Sequence, residues 1–218
     1  MDKAYIDTVR LLLQAAPEVF ANPIFAMKGG TAINLLVRNM PRLSVDIDVV
    51  YRNWQTERQQ ALSDITKELG AISERLRKLD LHCRKVSSGD LGDTKLLVEN
   101  ESCQIKIEVN TVFRGTVLPV ETRGLSSQTS EVFSMELQLP TLAIDELYGS
   151  KLVAALDRQH PRDLFDVWQL YESGGLSEGM VECKPERCKR PGWSASIKAC
   201  LFQAITQLLR WKWLYRFQ

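Results

Sequence analysis

The chain is poor in the residues that staple or metallate a small protein. Its 218 residues hold two histidines, His82 and His160, and five cysteines, Cys83, Cys103, Cys183, Cys188 and Cys200, with no CxxC pair. A structural zinc site needs four ligands at matched spacing, so Cys183 and Cys188 around "KPER" do not make one. An odd cysteine count behind a start with no secretory character predicts reduced thiols and a cytoplasmic protein. No apolar run approaches the roughly 20 residues that cross a bilayer, so no membrane span is expected. An excess of one charge sign is also missing: 28 Lys and Arg stand against 27 Asp and Glu, a formal net charge of +1. A blanket attraction to nucleic acid or anionic lipid is thereby excluded, and any basic surface must be local. Internal repeats and low-complexity tracts are missing too.

What remains is ordinary globular composition, 44% hydrophobic and 25% charged, in a chain long enough to fill a core. "DKAYIDTVRLLLQ" has Asp2 as an N-cap and apolar residues at helical spacing, with Pro17 bounding the element. "AINLLVRNM" after Thr31 reads as a helix stopped by Pro41. "LSVDIDVVY" alternates and is rich in β-branched residues, hence a strand. From Glu57 to Lys78, Leu62, Ile65, Leu69, Ile72 and Leu76 step by three and four along one helical stripe. "LHCRKV", "TKLLVEN" and "CQIKIEVNTVF" read as strands, the last two as a hairpin across "ENES". "VFSMELQLP" is expected as a further strand ending at Pro140, after which Thr141 caps the helix "LAIDELYGSKLVAAL". Pro161 opens another helix, with Leu164, Val167, Trp168 and Tyr171 as its core stripe and Arg162, Asp163, Asp166 and Gln169 off it.

Chemistry concentrates in a few of these segments. In a strand, Asp46 and Asp48 point the same way while Ile47 faces the core. Two such carboxylates repel unless a proton, an arginine or a hard cation such as Mg²⁺ or Mn²⁺ lies between them. In "IKIEVN", Ile105 and Ile107 take the face opposite Lys106 and Glu108, which offers Glu108 as a third acid. Three carboxylates are the ligand set that holds one or two metal ions for phosphoryl chemistry. "GGT" before a helix, Gly29, Gly30 and Thr31, exposes backbone N–H groups where phosphates bind, and Thr31 can cap while offering its hydroxyl. The loop is not a Walker A, because Lys28 precedes the glycines and no GK[ST] follows.

Diglycine, D-x-D strand and a later acid in a strand resemble the nucleotidyltransferase superfamily of DNA polymerase beta. "KGGTAINLLVRNMPRLSVDID" together with "SKLVAALDRQHPRDLFDVWQL" is similar to the AbiEii-type toxins of abortive-infection and type IV toxin–antitoxin systems, over about residues 20 to 172. The resemblance implies an α+β chain: a minimal nucleotidyltransferase fold, its mixed β-sheet flanked by helices, over 1–139, then a helical part over 140–218. It implies transfer of a nucleotide from an NTP to an acceptor, RNA at the 3′ end of tRNA for several relatives, in phage defence and under a cognate antitoxin encoded nearby. By position Asp46, Asp48 and Glu108 would be the catalytic metal ligands, and Lys28, Gly29, Gly30 and Thr31 would hold the nucleotide. Lys151 matches the lysine expected on the phosphates, and Asp163 and Asp166 match the aspartates of the "RDxxD" block. Arg162 and Asp166, four apart on a helix, are also placed to hold one another.

Other readings fit parts of this set. "DIDVV" also suits the nucleophile motif of HAD phosphatases, with "SGDLGD" as a loose later motif, but "PRLS" is not the apolar strand that motif needs. Glycosyltransferases use D-x-D to hold a metal–nucleotide. A small-molecule nucleotidyltransferase of the antibiotic-modifying kind and an inactive nucleotidyltransferase-fold binding module are further alternatives. The ending stands apart: from Arg187 the last 32 residues have no Asp or Glu, seven Lys or Arg and three of the five tryptophans. "LFQAITQLLRWKWLYRF" reads either as a basic amphipathic helix for a membrane or acidic partner, or as a terminal helix packed on the body. Such an ending also suits a truncated or frame-altered C-terminal part after about residue 182. A long downstream frame in the same phase at the locus would end that idea.

Overall fold

The computed structural model describes residues 2–87, 93–111 and 115–182. The chain forms two compact units, the first running to Ala143 and the second beginning at Ile144. The expectations on the basic ending and on "SGDLGD" fall largely or wholly outside the described residues.

The first unit is built on a seven-stranded mixed sheet. Its strands are β1 (Phe25–Lys28), β2 (Ile47–Tyr51), β3 (His82–Ser87), β4 (Asp93–Glu99), β5 (Gln104–Asn110), β6 (Glu121–Gly124) and β7 (Gln138–Thr141), in the order β3-β4-β5-β2-β1-β7-β6. β2 runs parallel to β5 and antiparallel to β1, so the middle of the sheet mixes both ladder types. β4 and β5 form the expected hairpin, with Leu96 opposite Ile107 and Lys95 opposite Glu108.

Two long helices supply the core. α1 (Lys3–Val19) is capped by Asp2, whose carboxylate accepts from the Ala4 N–H at 3.4 Å. Pro17 does not bound it but sits inside its last turn, four residues past Leu13. α3 (Arg58–Arg77) begins one residue after Glu57, whose carboxylate accepts from the N–H groups of Gln59 and Gln60. Ile65, Leu69, Ile72 and Leu76 are fully buried, as their spacing predicted, while Leu62 of the same stripe is half-buried. α3 packs on β3 and β4 and α1 on β5, on the apolar face where Leu96, Val98, Ile105, Ile107 and Val109 alternate with polar residues. Fully burying aliphatic chains of this size stabilises the unit by about 1.5–3 kcal/mol each. The opposite face of the same strands carries Lys95, Leu97, Lys106 and Glu108, as the two-residue period requires.

Several boundaries differ from expectation. The helix after β1 starts at Gly29, as α2 (Gly29–Ala32), and continues as a π-helical turn over Ile33–Val37. Thr31 therefore lies inside the helix and does not cap it. β2 begins at Ile47, which leaves Asp46 just before the strand. "VFSMELQLP" is not one strand. Its first residues end α4 (Ser127–Phe133), whose cap is Ser126, and the chain turns through a left-handed Ser134 into β7. Pro140 lies within β7, opposite Thr122 of β6, a short strand that no pattern in the sequence had marked. The missing N–H costs little there, because β7 meets β1 at the single pair Met27–Thr141. Thr141 is a buried strand residue whose hydroxyl donates to the Leu139 carbonyl at 3.1 Å, and the next helix begins at Ile144.

The second unit contains α5 (Ile144–Arg158), α6 (Pro161–Glu172) and α7 (Glu178–Glu182). His160 caps α6 by accepting the Arg162 N–H on Nδ1, and Pro161 occupies the first turn, where its missing N–H has no partner to lose. The buried face of α6 is Asp163, Asp166, Val167 and Leu170, while Tyr171 is exposed. That corrects the expected stripe: the two aspartates point inward and Tyr171 outward.

Candidate active site

The diglycine turn and the D-x-D segment meet through strand pairing. β1 and β2 are antiparallel with Lys28 opposite Asp48, so the residue after Lys28 must pass beside the Asp48 side chain. Gly29 does so with φ +81°, and a Cβ there would run into the Asp48 carboxylate. Only glycine satisfies both the backbone and the space. Gly30 lies under the guanidinium of Arg42, which would collide with any Cβ at that position. Thr31 is buried, and its hydroxyl pairs with the Ser44 hydroxyl at 2.8 Å. The loop from Arg42 to Ser44 is thus tied onto the glycine turn immediately before Asp46.

On the other side of β2 the parallel register places Asp48 opposite Glu108. Both oxygens of Glu108 are held: Lys106 Nζ is 2.7 Å from Oε2 and Lys95 Nζ is 3.0 Å from Oε1. Lys106 also stands 3.7 Å from Asp46 Oδ2. Partial burial alone would raise the Glu108 pKa, but the hydrogen bonds from Lys106 and Lys95 outweigh it and hold the carboxyl below its usual range. Lys106 is raised, first by its hydrogen bond to Glu108.

Asp48 goes the opposite way, from an ordinary 3.8 to about 6. Burial is the largest cause and the Asp46 charge the next, with Lys28 offsetting part of the rise. A carboxylate so placed is a test of whether a divalent cation suits the site. A hard cation on Asp46 and Asp48 would relieve the repulsion that lifts Asp48, so this pair fits Mg²⁺ or Mn²⁺. Both oxygens of Glu108, the expected third acid, are taken by lysines in this structure. Among the described residues no group of three or more His, Cys, Asp or Glu side chains is arranged to hold a metal ion.

The remaining expected residues lie in the second unit. Lys151 is buried on α5, with Nζ 2.9 Å from Asp163 Oδ1 and 3.2 Å from Asp166 Oδ2. Asp163 Oδ2 takes Arg158 at 2.7 Å. Asp163 and Asp166 are each 3% exposed, which explains why they occupy the inner face of α6: their charges are matched there by Lys151. Sequence reasoning missed Arg42, Ser44, Lys95 and Lys106. Lys106 carried a signal, since it stands two residues from Glu108 in a strand; Arg42 and Ser44 carried none beyond preceding the aspartates.

A mixed sheet with an aspartate pair beside a diglycine turn defines the class as a nucleotidyltransferase. The family model described as "Nucleotidyl transferase AbiEii toxin, Type IV TA system" matches residues 10–212, and the chain belongs to that family. It is therefore a nucleotidyltransferase of the toxin–antitoxin type, and the match runs on past the block at 151–171 into the tryptophan-rich ending. Among solved structures, the chain is similar to MenT4, a nucleotidyltransferase toxin from Mycobacterium tuberculosis H37Rv, at 17% identity and TM-score 0.55, over 92% of this chain and 81% of that one. That likeness shows the α+β fold. The antibiotic-resistance factor ANT(2'')-Ia aligns over the whole of both chains at 16% identity and TM-score 0.38, too low to carry an argument. No curated protein sequence matches. Among the described residues no helix is long and apolar enough to cross a membrane.

Proposed function

We propose that the chain moves a nucleotide from an NTP to an RNA acceptor, the 3′ end of tRNA, as the toxin of a pair whose antitoxin is encoded nearby. The observation that carries this reading is the packing of Gly29 on Asp48. It sets a backbone turn suited to phosphates beside an aspartate pair suited to a divalent cation. Asp46 and Asp48 would hold Mg²⁺ or Mn²⁺, which when bound neutralises charge on the transferred phosphorus and eases loss of the acceptor's proton.

The chain's own groups do the rest. Lys28, Gly29, Gly30 and Thr31 line the triphosphate, with the Thr31 hydroxyl kept in place by Ser44. Arg42, lying over Gly30, adds a planar guanidinium, a shape matched to phosphate oxygens. Within the second unit, Asp163 and Asp166 hold the Lys151 ammonium in one position.

The test is incubation of the purified chain with labelled NTPs, Mg²⁺ and total RNA. Label on tRNA, abolished in Asp48→Asn, is the expected result. Label on an aminoglycoside instead would identify a small-molecule enzyme, and no label on any acceptor would leave a binding module. An adjacent gene for a winged-helix antitoxin is the expected genomic setting.

A further inference from the structure

The acid-bearing face of the sheet already contains a cation of its own. Lys106 precedes Glu108 by two residues on β5, so both side chains rise on the same face, and Asp46 lies beside them just before β2. The Lys106 ammonium is 2.7 Å from Glu108 and 3.7 Å from Asp46, and so spans an acid of β5 and one from the loop before β2. Lys95, opposite Glu108 in the β4–β5 ladder, closes the other oxygen at 3.0 Å. A divalent ion and an ammonium on the same oxygens would repel strongly at such separations.

We propose that Lys106 is a tethered cation filling the ground between Asp46 and Glu108, so that this site takes one divalent ion, on Asp46 and Asp48. The proposal rests on the nucleotidyltransferase reading and deepens it. Glu108 anchors Lys106 and is not a metal ligand. In two-ion phosphoryl chemistry the second ion supplies fixed positive charge beside the reacting groups; here an amino group on a strand supplies it. Lys106 is a positioning residue in this scheme, and Lys95 secures Glu108 without reaching Asp46.

The experiment counts Mn²⁺ bound to the full chain by electron paramagnetic resonance, without nucleotide, with a melting curve for each variant. The wild type is expected to bind one Mn²⁺, lost in Asp48→Asn. Lys106→Met, and Lys106→Gln as a second neutral variant, are expected to bind a second ion or to hold the first about tenfold more tightly, as removal of an adjacent charge predicts. Lys106→Arg, which keeps the charge, should behave as wild type. Two ions in the wild type overturn the proposal, and so does a folded Lys106→Met or Lys106→Gln indistinguishable from it. RNA labelling plays no part in this count. A chain with one Mn²⁺ that labels no RNA loses the acceptor assignment and keeps Lys106; a chain that labels tRNA with two Mn²⁺ does the reverse. No Mn²⁺ at all in the wild type overturns the Lys106 proposal, and the acceptor is still read by RNA labelling.

Discussion

Gly29 lies directly against the carboxylate of Asp48, the glycine at φ +81° and the acid half-buried beneath it, because Lys28 and Asp48 are partners in the β1–β2 ladder. Gly30, one residue on, faces the end of the flexible Arg42 side chain and, less closely, the Ser44 hydroxyl. The two glycines therefore differ in what a methyl group would cost. Gly29→Ala combines a left-handed backbone with a collision and should destabilise the fold by about 1–3 kcal/mol. Gly30→Ala should stay within about 1 kcal/mol, since Arg42 can swing away. Urea denaturation of both variants checks this, and equal losses would contradict the packing described.

Asp48 sets a pH dependence in the metal-free protein. Its folded pKa, about 6, lies above the ordinary 3.8, so the folded state holds the proton more tightly than the unfolded. Stability from this group is fully present below about pH 4 and is lost as pH rises through about 6, a decline of roughly 2–3 kcal/mol in all. Asp48→Asn, unable to ionise, should flatten that decline while abolishing nucleotide transfer. Denaturant titrations between pH 4 and 7.5 read it; a wild-type slope unchanged in the variant would assign the titration elsewhere.

Lys151→Met is expected to cost about 3–5 kcal/mol, because it leaves Asp163 and Asp166 as buried charges without their shared partner. The triple change Lys151→Met, Asp163→Asn, Asp166→Asn should recover most of that loss. Thermal melts of the two proteins separate an ion-pair role from simple packing, since lost packing would not be restored by the asparagines.

The Thr31–Ser44 hydroxyl pair ties the loop before Asp46 to the glycine turn. Thr31→Val, of the same shape, should lower stability by about 1 kcal/mol, the net worth of one hydrogen bond. If the loop positions Arg42 over the phosphates, KM for the NTP should rise more than kcat falls. An unchanged KM would confine Thr31 to the fold.

Local pattern accounts for much of this architecture. The stripe of α3, the Asp2 cap of α1, the β4–β5 hairpin and the helix opened by Pro161 all follow from spacing and caps, signals carried by neighbouring residues. β6 did not show itself, and β7 was read too long, because each is four residues long and exists only by pairing with a distant segment. α6 misled for a related reason: Asp163 and Asp166 are polar in any hydropathy reading, and it takes Lys151, a helix away, to make the inner face tolerable for them.

By itself the sequence determined which chemical groups are available: two aspartates one residue apart, two glycines able to bring backbone close to another group, and strand alternation that sends Lys106 and Glu108 to one face. It determined the family as well, through the pairing of two motif blocks. Only the tertiary structure decided which of those charges neutralise each other, because ion pairing depends on strand register and burial. It gave Glu108 to two lysines, packed Asp48 against Gly29 within reach of the Asp46 charge, and enclosed Lys151 between two carboxylates.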